Sequence, residues 1–217
     1  MVISLLPLGA IAVAGLVMWR PLAGAGTLGE ALRAGLLWLP PAGLVGFATL
    51  ALLILALVRL ASIGLEGGYY PSQSRRALQA WATIRLMDEA RTWLFPMYAG
   101  AITTVWLRAL GARIGKDAEA STVLMIPSLT RVGAGAFLAD DTFIGGYELG
   151  GGWLRVERVK IGRGAFVGNS GMTAPGRKVP KESLVAVLSA APRRKEAKAG
   201  VSWVGSPPER LRRAPSE

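Results

Sequence analysis

Apolar or small residues recur at every sixth position through the second half of this 217-residue chain. The series runs Ile114, Ala120, Ile126, Val132, Leu138 and Ile144, resumes at Ile161, and continues through Val167, Thr173, Val179 and Val185. A glycine or proline often follows, as at Gly115, Pro127, Gly133, Gly145, Gly162 and Gly168. Another small residue stands four positions on, as at Ala118, Thr130, Ala136, Thr142, Ala165, Gly171 and Ser183. This period suits a triangular prism in which each hexad forms one short strand and one corner, and three hexads complete a coil. The periodic aliphatic fills the narrow axis, and only small side chains fit where the backbone turns tightly beside it. The spacing predicts a single-stranded, left-handed parallel β-helix, an exception to the right-handed rule for parallel crossovers.

One break in the count carries information. The segment VGAGAFLADD from Val132 returns as IGRGAFVGNS from Ile161, an offset of 29 residues in place of one coil of 18. The extra 11 residues must protrude, and a loop at about 146–159, carrying Tyr147, Glu148, Trp153 and Arg155 between glycines, is expected to project from a rigid scaffold. A solenoid of about three and a half coils needs both ends covered. The tryptophan-rich stretch before Leu110 is expected to serve one end. After Val185 the repeat decays into a basic, proline-rich tail, read as extended or partly disordered.

The first 62 residues are of another kind. Between Arg33 and Arg59 no residue is charged, a run long enough to cross a hydrocarbon core of about 30 Å, with Pro40 and Pro41 near the start of the helix and that start nearer Pro40 than Arg33. From Val2 to Trp19 the chain is again uncharged, and is read as a short transmembrane helix in preference to a signal peptide because no basic residues precede it. Arg20 to Arg33 then forms an external loop. Arg59, Arg75, Arg76, Arg85 and Arg91 all follow the second run, which places the remainder in the cytoplasm of a multi-pass protein of the cell membrane. Residues 63–109 read as an amphipathic, interfacial helical linker, with a buried helix covering the solenoid as the alternative. The expected division is thus 1–62 (two transmembrane helices), 63–109 (linker), 110–190 (β-helix) and 191–217 (tail).

Histidine and cysteine are both absent. That removes disulfides, thiolate metal sites, a cysteine nucleophile and the commonest general base, and no metal site is expected. The formal charge is +11, nearly all of it after Arg59. Beside apolar spans, anionic lipid is the expected partner of such a surface, and no nucleic-acid reading motif accompanies it.

The stretches RLMDEARTWLFPMY, WLRALGARIG, AFLADDTFIGGYELGGGW, GNSGMTAPGRKVP and SWVGSPPERLRR together resemble the C-terminal membrane region of nonribosomal peptide synthetases of the poly-lysine synthetase type, from about Gly67 to Arg213. The resemblance implies a hexapeptide-repeat module that acts on amino acids held by a carrier domain and helps form or position the amide bond. Its partners would be the adenylation and carrier domains, neither of which is in this chain. A wider resemblance, to the acyltransferase-like superfamily of hexapeptide-repeat trimers, implies an acyl thioester donor. No bound cofactor is implied, and the expected ligand is the phosphopantetheine arm of a carrier protein or coenzyme A. Nothing in the residues sets an oligomeric state.

Without histidine, a base for acyl transfer must be a carboxylate. Glu148, Asp141 and Asp140 are the candidates, with Tyr147 beside them; adjacent acids at a corner also serve simply as a solvated turn. Asn169 and Ser170 occupy the positions of Asp140 and Asp141 one coil later, as substrate contacts or as a hydrogen-bonded corner ladder. Arg177 and Lys178, with Lys181, would hold a phosphate, or form a solvated basic face. Three functions fit these residues: part of a homopolymer synthetase, a stand-alone acyltransferase, or a non-catalytic membrane scaffold.

Overall fold

The computed structural model describes residues 3–211, in two compact units divided after Leu57. The first unit follows from uninterrupted apolar sequence. A 3-10 turn, Ile3–Leu5, leads into α1 (Leu6–Ala23), and α2 (Leu28–Ala61) begins after four intervening residues. Both helices are long and apolar enough to cross a membrane. They approach closely at small residues: a Cβ placed on Gly46 would lie 3.1 Å from the Ala14 methyl and 3.3 Å from the Ala10 carbonyl. Two expectations are corrected here. The connection is residues 24–27, not Arg20 to Arg33, and Pro40 and Pro41 lie well inside α2. Apolar residues on either side carry the helix through them, as long apolar helices allow.

The second unit opens with β1 (Gly68–Pro71) and α3 (Arg75–Trp93), in whose first turn the amide of Ala77 donates to the capping hydroxyl of Ser74. Helix α4 (Thr103–Ala109) follows and packs on the first coil of the solenoid. The prism then builds in parallel strands. One sheet stacks β2 (Arg113–Ile114), β5 (Thr130–Val132), β10 (Val159–Ile161) and β13 (Lys178–Val179). A second stacks β3 (Glu119–Ala120), β6 (Phe137–Leu138), β11 (Phe166–Val167), β14 (Leu184–Val185) and β15 (Ser202–Val204), and β16 (Glu209–Arg210) closes it antiparallel. The third stacks β4 (Leu124–Met125), β7 (Phe143–Ile144) and β12 (Met172–Thr173). This is the left-handed β-helix that the six-residue period predicts. Ile161 stands over Val132, which confirms the 29-residue offset, and Val132, Leu138, Ile144, Ile161, Val167, Val179 and Val185 are all buried along the axis.

Residues between the sheets explain themselves by contact distance. At Gly162 a Cβ would stand 2.4 Å from the amide nitrogen of Lys181 in the next coil, so a corner this close to its neighbour accepts only glycine. Corner residues in left-handed backbone recur at Asp117, Asp141, Ser170, Glu182 and Leu188.

The structure departs from expectation at three places. Met125, not Ile126, pairs with Ile144; both are fully buried, and the 3-10 turn Pro127–Leu129 absorbs the extra residue before β5. The tail is not uniformly extended: Trp203 stands over Val185 and is buried, so one further strand closes the solenoid before the β15–β16 hairpin. Residues 212–217 of the expected tail, and the start of the first apolar segment, lie outside the described residues. Within 63–109, the helix α3 buries Ala77, Ala80, Thr83, Ile84, Leu86, Met87 and Ala90, and shares a core with Leu65, Ile126, Leu129, Leu154 and Val156. That burial matches the alternative of a helix covering the solenoid. The run read as interfacial, Thr92 to Leu107, ends within the short α4, with Tyr98, Trp106 and Leu107 buried and Trp93, Phe95, Ile102 and Val105 exposed.

Candidate functional site

The insertion is a hairpin, β8 (Glu148–Gly150) and β9 (Trp153–Val156), turned at Gly151 and Gly152, both of which have positive φ. Strand β9 also pairs antiparallel with β1, giving a three-stranded sheet. Leu154 and Val156 point into the core beneath α3, so the opposite side of β9 presents Arg155. Arg155 reaches Glu148 at 3.0 Å across the hairpin and Glu157 at 3.2 Å along it, and its guanidinium lies 5.5 Å from the Tyr69 ring centre. Desolvation works against its charge. Hydrogen bonds and attraction from Glu157 and Glu148 outweigh that, and hold the guanidinium pKa above its ordinary value.

The hairpin leaves the prism at the corner between the third sheet and the first. In the next coil that corner is residues 174–177, and Gly176, in left-handed backbone, leaves the space in which the Glu157 carboxylate sits; a Cβ there would lie 1.8 Å from Oε2. A cavity of about 530 Å³ runs along this corner. Tyr147 and Glu148 line it from the hairpin side, Phe143 and Met172 from the third sheet, Arg177 from the corner, and Arg193 and Glu196 from the coil above. Arg177 donates through Nη1 to the Ala191 carbonyl, which ties that upper coil to the corner.

Of the residues expected from sequence, the structure brings Tyr147, Glu148 and Arg177 into this cavity. Asp140 and Asp141 stand at a different corner, between the second and third sheets. Asp140 accepts from the Ser121 hydroxyl. Asp141 accepts from Arg91 of α3 at 3.3 Å, and its amide donates to Thr122 Oγ1 at 2.9 Å. Asn169 and Ser170 stack on them through the backbone, the Ser170 amide donating to the Asp140 carbonyl at 2.9 Å, and their side chains are exposed. Lys178 lies on the outer face of the first sheet. Sequence reasoning missed Arg193 and Glu196, because they belong to a coil whose period is hidden in the basic tail. The one signal was Trp203, one coil of 18 residues beyond Val185.

No family model matches the chain. Delta-poly-L-ornithine synthetase of Acinetobacter baumannii (strain AB307-0294) is 32% identical to it over 168 residues, 77% of this chain. The chain is a homologue of a poly-amino-acid synthetase. It spans 13% of the length of that relative. Similar solved structures include a hexapeptide-repeat-containing acetyltransferase from Vibrio cholerae, 13% identical with a TM-score of 0.47 over 62% of this chain and 92% of that one. Another is a galactoside acetyltransferase in complex with coenzyme A, 11% identical with a TM-score of 0.44 over 67% of this chain and 86% of that one.

Proposed function

We propose that this chain is a membrane-embedded module of a synthetase for amino-acid homopolymers, and that it forms or positions the amide bond in the cavity beside the inserted hairpin. The observation that carries the reading is the cavity itself, lined by two acidic residues, Glu148 and Glu196, and two arginines, Arg177 and Arg193, together with the apolar Phe143 and Met172. The reaction needs an amine nitrogen to attack the carbonyl carbon of a thioester. A C–N bond forms, the C–S bond breaks, and the carrier leaves as a thiolate. A base must take the one proton that the amine gives up and pass it to that sulfur.

Glu148 is committed to Arg155, whereas Glu196 has no ion-pair partner within 4.0 Å among the described residues, so Glu196 is the better acceptor. The guanidiniums suit the phosphodiester of a phosphopantetheine arm, or the phosphates of coenzyme A. In this reading α1 and α2 cross the membrane, the basic residues after Arg59 keep the β-helix in the cytoplasm, and the exposed Trp93, Phe95, Ile102 and Val105 rest in the lipid interface. A scaffold role is favoured by a different observation, the engagement of Glu148 and Asp141 in ion pairs.

The test is to reconstitute the chain in lipid with an aminoacyl-loaded carrier protein and the free amino acid, and to follow dipeptide by mass spectrometry. Product that falls at least tenfold with Glu196→Gln supports the reading. No product from a folded, membrane-bound chain that still binds the carrier moves the assignment to the scaffold.

A further inference from the structure

The three outer faces of the prism differ in kind. On the third sheet, Leu124 and Phe143 pack against the core beneath α3. The second presents Phe137 and Phe166, stacked with ring centres 5.4 Å apart. On the first sheet the register places Arg113 beside Arg131, Arg131 beside Lys160, and Lys160 beside Lys178. Every outward position of that column is a cation, and all four side chains are exposed. None has an acidic partner within 4.0 Å among the described residues, although Arg85, Arg91, Arg155 and Arg163 elsewhere in this unit all do.

In-register parallel pairing makes this a ruler of like charges, one about every 4.8 Å. Like charges stacked so closely oppose folding unless an external anion offsets them. At its upper end the column opens onto a surface that Lys160 and Lys178 line together with Arg158, Arg177, Arg194, Glu66 and Glu157, an excess of cations over acids. Arg177 lines the reaction cavity as well, so the charged track leads to the cavity mouth.

We propose that the column Arg113–Arg131–Lys160–Lys178 is the docking track for an acidic helix of the carrier protein that delivers the aminoacyl thioester. This rests on the function proposed above. A helix carries side chains of one face about every 4.5–6 Å along its axis, which matches the coil spacing when the helix lies parallel to the prism. The outward positions of the column hold no apolar side chain, whereas docking on a lipid surface pairs cations with inserted aromatic or aliphatic groups. Those groups are exposed instead on the 93–105 stretch. A carrier seated on the track would have its arm at the Arg177 end, beside the cavity.

The experiment uses the full chain in nanodiscs of phosphatidylcholine alone, with a holo peptidyl-carrier protein of acidic pI as the probe. Binding is measured between 50 and 300 mM NaCl. The expected result is a Kd that rises at least tenfold across that range and rises a further tenfold or more in Lys160→Glu/Lys178→Glu. A control with the same change in charge at exposed sites off the track, Arg75→Glu/Arg210→Glu, changes Kd less than threefold. The milder Lys160→Gln/Lys178→Gln keeps the test valid if charge reversal disturbs folding. Equal weakening by track and control variants overturns the track. So does carrier binding indifferent to both track variants while hydrogen exchange over β10 and β13 slows on adding phosphatidylglycerol, which assigns the column to lipid. Track-dependent binding without dipeptide retains the docking and removes the condensing role; dipeptide formed without track-dependent binding does the reverse.

Discussion

Glu148 and Arg155 face each other across the inserted hairpin, carboxylate to guanidinium at 3.0 Å, in the one pair of positions that also brings Arg155 over Tyr69 of β1. The pair fastens the flap that walls one side of the cavity. Glu148 is half-exposed, so removing its charge costs little: Glu148→Gln should lower stability by less than about 1 kcal/mol. Arg155 is more enclosed and holds two carboxylates, so Arg155→Met should cost about 1–2 kcal/mol, read from urea unfolding of the detergent-solubilised chain. A silent Arg155→Met would mean that Leu154 and Val156 hold the hairpin by burial alone.

The corner at Asp141 predicts the opposite balance between backbone and side chain. Its φ is +54°, its side chain is largely exposed, and its ion pair with Arg91 is one of two bonds that Arg91 makes to this corner, the other being to the Thr122 carbonyl one coil below. Asp141→Gly removes the pair but relieves the backbone, so its net effect should stay within about 0.5 kcal/mol. Asp141→Val keeps neither benefit and forces a β-branched residue into left-handed backbone, which should cost about 1–2 kcal/mol. If this corner also served the reaction, Asp141→Gly would abolish dipeptide formation while leaving the unfolding midpoint in place; retained product identifies it as a structural turn.

Much of this arrangement was legible in the residues. The six-residue period located the axis because a prism this narrow admits one aliphatic per face, and the 29-residue offset located the insertion because register is strict once one side is buried. The same rule explains the slip at Met125: two adjacent apolar residues, both buried, satisfy the pattern equally, and only the turn at Pro127–Leu129 chooses between them. The final coil was hidden because Trp203 is far larger than the residues the period favours, and it fits at the end of the prism where no further coil crowds it. Strand β1 could not be foreseen, since it exists only through pairing with β9 across more than 80 residues of sequence. As for the site, the insertion pointed to Tyr147 and Glu148, whereas Glu196 needed three dimensions.

Close approach of coils at glycine corners gives a sharper test of the prism. A side chain at position 162 meets the Lys181 backbone, not a movable side-chain tip, so neither partner gives way without shifting a whole coil. Gly162→Val should therefore cost more than about 3 kcal/mol, or prevent folding of the β-helix. Gly135, also at a corner but with open space around its Cβ position and φ of +63°, is the comparison. Gly135→Asn should cost less than about 1 kcal/mol, because asparagine tolerates left-handed backbone. Circular dichroism and the midpoint of thermal unfolding measure both.

Tyr98 provides a test that depends on pH. Its phenol is fully buried ahead of α4, and burial pushes its pKa up from 10.0 to about 12, with smaller opposing contributions from Trp106 and Arg91. Between pH 10 and 12 the unfolded chain releases this proton while the folded chain still holds it, so the unfolded state binds fewer protons and stability must fall as pH rises through that window. Below pH 10 both states are protonated and the group contributes no slope. At one pKa unit to about 1.4 kcal/mol, the loss over the window is on the order of 2 kcal/mol. Tyr98→Phe removes the titration and leaves no buried hydroxyl in need of a partner, so its unfolding free energy should decline less steeply than that of the parent chain between pH 10 and 12. Every other group is common to the two proteins, so the difference between the two slopes isolates Tyr98. Identical slopes would show that the phenol reaches water in the folded protein, and that the cover over the first coil opens readily.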